Sequence, residues 1–92
     1  MSQATVRSAQ LSVGTATPAL VAWGNSGGSR VYVHQDGNSN HAIYFGGSAV
    51  TAATGFLIHK GEHIDIYLPE GAGLYAIAST TGTIYVMQTG GI

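Results

Sequence analysis

The chain has no cysteine. Disulfides and a cysteine-based zinc site are therefore excluded as sources of stability. Charge is nearly as scarce. Asp, Glu, Lys and Arg make up 8% of the 92 residues, against about 25% in an average soluble domain. Arg7, Arg30 and Lys60 are its only basic residues apart from histidine, too few to form the basic stripe that a nucleic-acid partner requires. No apolar run approaches the ~20 residues needed to span a bilayer. Met1-Ser2-Gln3-Ala4 is followed by no apolar segment of the kind a signal peptide contains,. These absences point to synthesis in a cytoplasm and to no membrane partner. Disorder is disfavoured too, because low charge here accompanies 45% hydrophobic residues,.

What is present has a period of two. Ile64-Asp65-Ile66-Tyr67-Leu68 alternates and stops at Pro69, as a half-buried strand does. Further short runs are Leu20–Trp23, Arg30–Gln35, Ala42–Phe45, Leu74–Ser79 and Thr83–Thr89, with a weaker one at Thr5–Val13. Turn chemistry separates them, as in Gly24-Asn25-Ser26-Gly27-Gly28, Lys60-Gly61-Glu62 and Pro69-Glu70-Gly71-Ala72-Gly73,. Short strands at this spacing predict an all-β fold, a compact antiparallel β-sandwich or jelly-roll-like small barrel with essentially no helix. Residues 14–92 are expected to form one β-sandwich domain. Residues 1–13 are expected to be an N-terminal arm or an edge strand. Ser48–Thr54 reads as an extended link. Val31, Val33, Ile64, Ile66, Leu68, Ile84 and Val86 are expected among the most buried residues, with Phe56, Leu74 and Ala76 closing the core.

All five tyrosines lie between two apolar residues. If each aliphatic pair faces the core, then Tyr32, Tyr44, Tyr67, Tyr75 and Tyr85 face outward. Strands favour Tyr in any case. Outward tyrosines with so little charge between them also suit partner contacts. Trp23, Gln3, Thr5 and Arg7 complete the expected partner or oligomer interface, the N-terminal residues by adding a strand to a neighbouring sheet.

Three features suggest chemistry and are explained more simply. Gly24-Asn25-Ser26-Gly27-Gly28 matches the nucleophile-elbow pattern, but that elbow needs a following helix and a large α/β sheet; Ser26 reads as a turn residue, and no catalytic residue is assigned. Asp36-Gly37-Asn38-Ser39-Asn40 begins like a calcium loop, but His41 and Gly47 stand where such a loop needs glycine and a bidentate acid. His34 with His41, and His59 with His63, flank two hairpin tips and would bind a metal only if the tips met. No metal or cofactor is assigned.

From Val21 to Val86 the chain resembles a small virion β-module of tailed bacteriophages. The resemblance is carried by Trp23-Gly24-Asn25-Ser26-Gly27, Arg30-Val31-Tyr32-Val33 and Ile43-Tyr44-Phe45-Gly46-Gly47-Ser48-Ala49-Val50-Thr51. It continues through Thr54-Gly55-Phe56-Leu57, Lys60-Gly61-Glu62, Ile64-Asp65-Ile66 and Leu74-Tyr75-Ala76-Ile77-Ala78. It implies a sandwich or jelly-roll-like fold without catalysis. A short chain carrying only this module looks like a capsid decoration (cement) protein. Such a protein is expected on the capsid surface of the virion, as a homo-oligomer (a trimer by analogy) bridging subunits of the major capsid protein. The same module fused to fibres gives the alternative: a receptor- or glycan-binding unit of a tail fibre or baseplate, using exposed tyrosines and Trp23 beside Asp36, Asn38 and Asn40.

Overall fold

A computed structural model describes residues 5–24, 27–35, 42–59 and 61–90. These residues contain eight strands and no helix: β1 (Thr5–Val13), β2 (Ala19–Trp23), β3 (Ser29–Gln35), β4 (Ile43–Gly46), β5 (Phe56–Ile58), β6 (His63–Leu68), β7 (Gly73–Ala78) and β8 (Gly82–Gly90). All pairings are antiparallel. The first sheet has the order β1-β8-β3-β6 and the second β2-β7-β4-β5. The pairs β1·β8, β2·β7, β3·β6 and β4·β5 are those of one long hairpin. Wrapping that hairpin adds β8·β3 and β7·β4, which gives the strand order of an eight-stranded jelly roll.

Alternation explains which side chains enter the sandwich. In β3, Ser29, Val31, Val33 and Gln35 are buried while Arg30, Tyr32 and His34 are exposed. Residues Ile84, Val86 and Gln88 of β8 point inward in the same way, as do Leu74, Ala76 and Ala78 of β7. With Val13, Val21, Ala22, Ile43, Phe45, Ile58 and Leu68, these apolar residues form one core between the sheets. β1 belongs to the same sandwich: it pairs with β8 along its whole length and places Val13 in the core.

Four sequence expectations are corrected. Ile64, on β6, is only half-buried and packs against the core from outside it. Ile66 shares the inward face of Val31, its register partner, yet is 36% exposed. Phe56 pairs with Phe45 and is 66% exposed. Both lie on edge strands at the open side of the sandwich, where no further strand covers them. There the sheets leave an apolar cleft of about 430 Å³, lined by Phe45, Phe56, Ile64, Ile66 and Leu74 among others. Ser48–Thr54 is not extended. Val50 N donates to Gly47 O, and Thr54 N and Gly55 N both donate to Thr51 O, so the segment makes two consecutive turns.

Candidate functional site

The strands of the second sheet contain only Ala, Leu, Val, Ile, Phe, Tyr, Trp and Gly. One face of that sheet is the core. The other carries Leu20 and Trp23 from β2, Tyr75 and Ile77 from β7, Tyr44 from β4 and Leu57 from β5, all exposed or half-buried. Tyr75 and Leu20 lie over Gly73, whose register partner is Trp23, so three apolar groups gather around one glycine.

At the opposite end of this face the 47–55 turns fold back over the sheet. A Cβ on Gly46 would stand 2.9 Å from a Val50 methyl, and one on Gly55 would stand 2.5 Å from Tyr44 Cβ. Glycine at both positions lets Val50 plug the surface beside Tyr44. Val50 is accordingly buried although it is not part of the core between the sheets.

The rim of the face holds a cation. Arg7, on the inward side of β1, reaches the edge strand β2. Its Nε and Nη2 donate to Gln88 Oε1 at 3.2 and 3.0 Å, and Nη2 also donates to Val21 O at 3.1 Å. Gln88 Nε2 donates in turn to Trp23 O. The bulge between Leu20 and Ala22 takes Val21 out of register with β7, and Arg7 supplies its carbonyl with a donor. The guanidinium sits 4.6 Å from the centre of the Trp23 ring, within cation–π range. β1, β8 and β2 are thus tied together by polar side chains, whereas the cleft side between β5 and β6 is lined with hydrocarbon.

The outer face of the first sheet differs. Its cross-strand rows are Gln10–Tyr85–His34–His63, Ser8–Met87–Tyr32–Asp65 and Val6–Thr89–Arg30–Tyr67. His63 stacks on Tyr32 at 5.0 Å between centroids, and Arg30 pairs with Asp65 at 3.3 Å. The Tyr67 hydroxyl donates to Gly27 O at 3.1 Å, and its ring occupies the space a Gly28 side chain would need. Gly28 also has φ +89°, so glycine is required there twice over.

The expected interface residues therefore separate. Trp23, Tyr44, Tyr75 and Arg7 gather on or at the rim of the second face. Tyr32, Tyr67 and Tyr85 stand on the first. Thr5 lies at the end of β1 opposite Gly90. Gln3 falls outside the described residues, as do Ser26, Lys60, His41 and the Asp36–Asn40 tip. Gly27 and Gly28 lead directly into β3 rather than into a helix. Register places His34 opposite His63, a pairing the sequence reading did not consider. Among the described residues no three of His, Cys, Asp and Glu come together, and no helix is long and apolar enough to cross a membrane.

Sequence reasoning missed Gln88, Leu20, Ile77, Leu57 and Val50. A signal existed for two of them, Leu20 and Ile77: Leu20–Trp23 and Leu74–Ala78 are continuous apolar runs with no polar alternate, the pattern of strands covered on both faces. No family model and no curated protein matches this chain.

Proposed function

We propose that this protein is a non-enzymatic structural component of a tailed-bacteriophage virion, a capsid decoration protein that stabilises the head by binding subunits of the major capsid protein. The observation that carries this reading is the second sheet, whose strands have no charged side chain on either face. Antiparallel sheets of free domains usually show hydrocarbon to the core and polar groups to water. A sheet apolar on both sides gains stability when its outer face is covered too. Binding that exists only in the assembled shell stabilises the shell by mass action. The resemblance to phage virion modules supplies the partner, and analogy supplies a trimer.

The test is titration of the purified protein onto shells of the major capsid protein of the parent particle. Saturable binding at hundreds of copies per shell, with a raised shell melting temperature, is the expected result. No binding, or a copy number on the order of tens as tail symmetry gives, contradicts it and favours a fibre module. One observation favours that second reading: the outer face of the first sheet has a shallow depression of about 480 Å³ lined by Gln10, Tyr32, His34 and Tyr85 among others. These are groups able to hydrogen-bond a sugar, and binding to glycans rather than shells would select it.

A further inference from the structure

Arg7 is half-buried, and each of its hydrogen-bond acceptors is neutral: Gln88 Oε1 and Val21 O. Nε and Nη2 are engaged, while Nη1 makes no hydrogen bond among the described residues. The acids of those residues are all committed elsewhere. Asp65 pairs with Arg30 on the other outer face. Glu62 accepts from His59 N across the β5–β6 turn. Glu70 accepts from Gly27 N. The cation is held in place by the Gln88 clamp and the Trp23 ring beneath it, at the rim of a face whose strands bear no charge. Covering that face removes Arg7 further from water, and a desolvated charge is unfavourable unless it is paired.

We infer that the surface docking on the second sheet is a protein surface that presents a carboxylate side chain to Arg7 beside apolar residues packing on Leu20, Trp23 and Tyr75. This rests on the docking reading above and adds the partner's chemistry. An isologous pair of this chain, second face to second face, would offer Arg7 no acid from the strands of that face, which carry none. Charge complementarity therefore favours a different protein over a second copy. Trp, Tyr and Arg clustered at one site are also the residue types that dominate binding energy at protein interfaces.

The experiment measures cosedimentation of the purified protein with shells of the major capsid protein over a range of salt concentrations. It compares the unmodified chain with Arg7→Met, Arg7→Lys and Leu20→Asp, each checked by thermal melting. Arg7→Met is expected to weaken binding about 30-fold or more, as loss of one partner of a buried ion pair does. It should also abolish the shallow salt dependence that a single ion pair gives the unmodified protein, while Arg7→Lys retains part of both. Unchanged affinity and salt slope in Arg7→Met, with binding lost in Leu20→Asp, overturns the carboxylate and leaves the docking face standing. Binding that survives Leu20→Asp as well overturns the docking face itself. Should Arg7→Met not fold, the unmodified protein decides the matter: binding indifferent to salt overturns the ion pair. Self-association of the free protein that disappears in Leu20→Asp would assign the face to a second copy and also overturn the proposal.

Discussion

The two outer faces of the sandwich follow the same alternation rule and differ in kind. On the first, polar groups are matched within the protein: Arg30 by Asp65, the His63 ring by Tyr32, the Tyr67 hydroxyl by Gly27 O. On the second, only the Tyr hydroxyls and the Trp indole can hydrogen-bond, and the surface is hydrocarbon between them. Part of that surface is already shielded, because the 47–55 turns lay Val50 over Gly46 beside Tyr44. The remainder, from Tyr75 to Trp23 and Leu20, stays open. The first face mixes such matched polar groups with exposed Val6, Met87 and tyrosines, whereas the strands of the second offer no charged group at all. Net charge and composition of the whole chain average this difference away.

The largest effect expected on stability comes from the core beneath both faces. Ile84 is fully buried, and Ile84→Ala should lower unfolding free energy by about 2–5 kcal/mol. Ile66→Ala, at the open cleft, should lose clearly less, because the site is already partly solvated. Urea denaturation of the pair checks this, and equal losses would mean that the cleft is closed in solution. Next is the clamp joining β1 and β8 to β2. Gln88→Ala strands Trp23 O and removes an acceptor from Arg7, and should cost about 1–3 kcal/mol. The melting temperature should fall, and hydrogen exchange should rise selectively in β2.

How far these features were legible in the sequence depends on what each one needs. Strand existence needs only local alternation, so Ile64–Leu68 and Arg30–Gln35 could be read from residue order, as could the outward direction of the tyrosines, whereas the poorer alternation of Thr5–Val13 left arm and edge strand both open. Burial of Ile66 and Phe56 depends on which strands end up at a sheet edge, which alternation does not encode. The role of Gly46 and Gly55 depends on Val50 returning to the sheet, a contact made by tertiary packing. The candidate face was half legible. Its apolar runs are visible in the chain, but that β2, β7, β4 and β5 share one sheet follows only from the wrapped-hairpin topology. Arg7 was chosen from the sequence as part of an N-terminal strand added to a neighbour. Of the two readings of residues 1–13, edge strand or arm, β1 takes the first: it pairs with β8 of its own chain at the sheet edge, and Arg7 reaches β2 from there.

Smaller effects sharpen the contrast between the faces. Gly55→Ala brings a methyl into Tyr44 Cβ and should loosen the 47–55 turns. Increased proteolysis within 47–55, with the core strands still protected from exchange, is the expected result. Least of all should be Asp65→Asn on the first face. The Arg30–Asp65 pair is solvent-exposed on both sides, and such pairs contribute about 0–1 kcal/mol, less in salt. A denaturation midpoint that barely moves, and moves even less at high salt, is expected.

The central claim is that the second outer face is covered when the protein is in place and the first is not. Hydroxyl-radical footprinting, read residue by residue on the free protein and on the protein bound to shells, tests it most directly. Trp23, the only tryptophan in the chain, is 43% exposed, and Tyr85 on the opposite face is 42% exposed, so the two start from the same accessibility. The account predicts that binding protects Trp23, with Tyr75 following it, and leaves Tyr85 and Tyr32 labelled as in the free protein. Protection of Tyr85 and Tyr32 with Trp23 still labelled would contradict it.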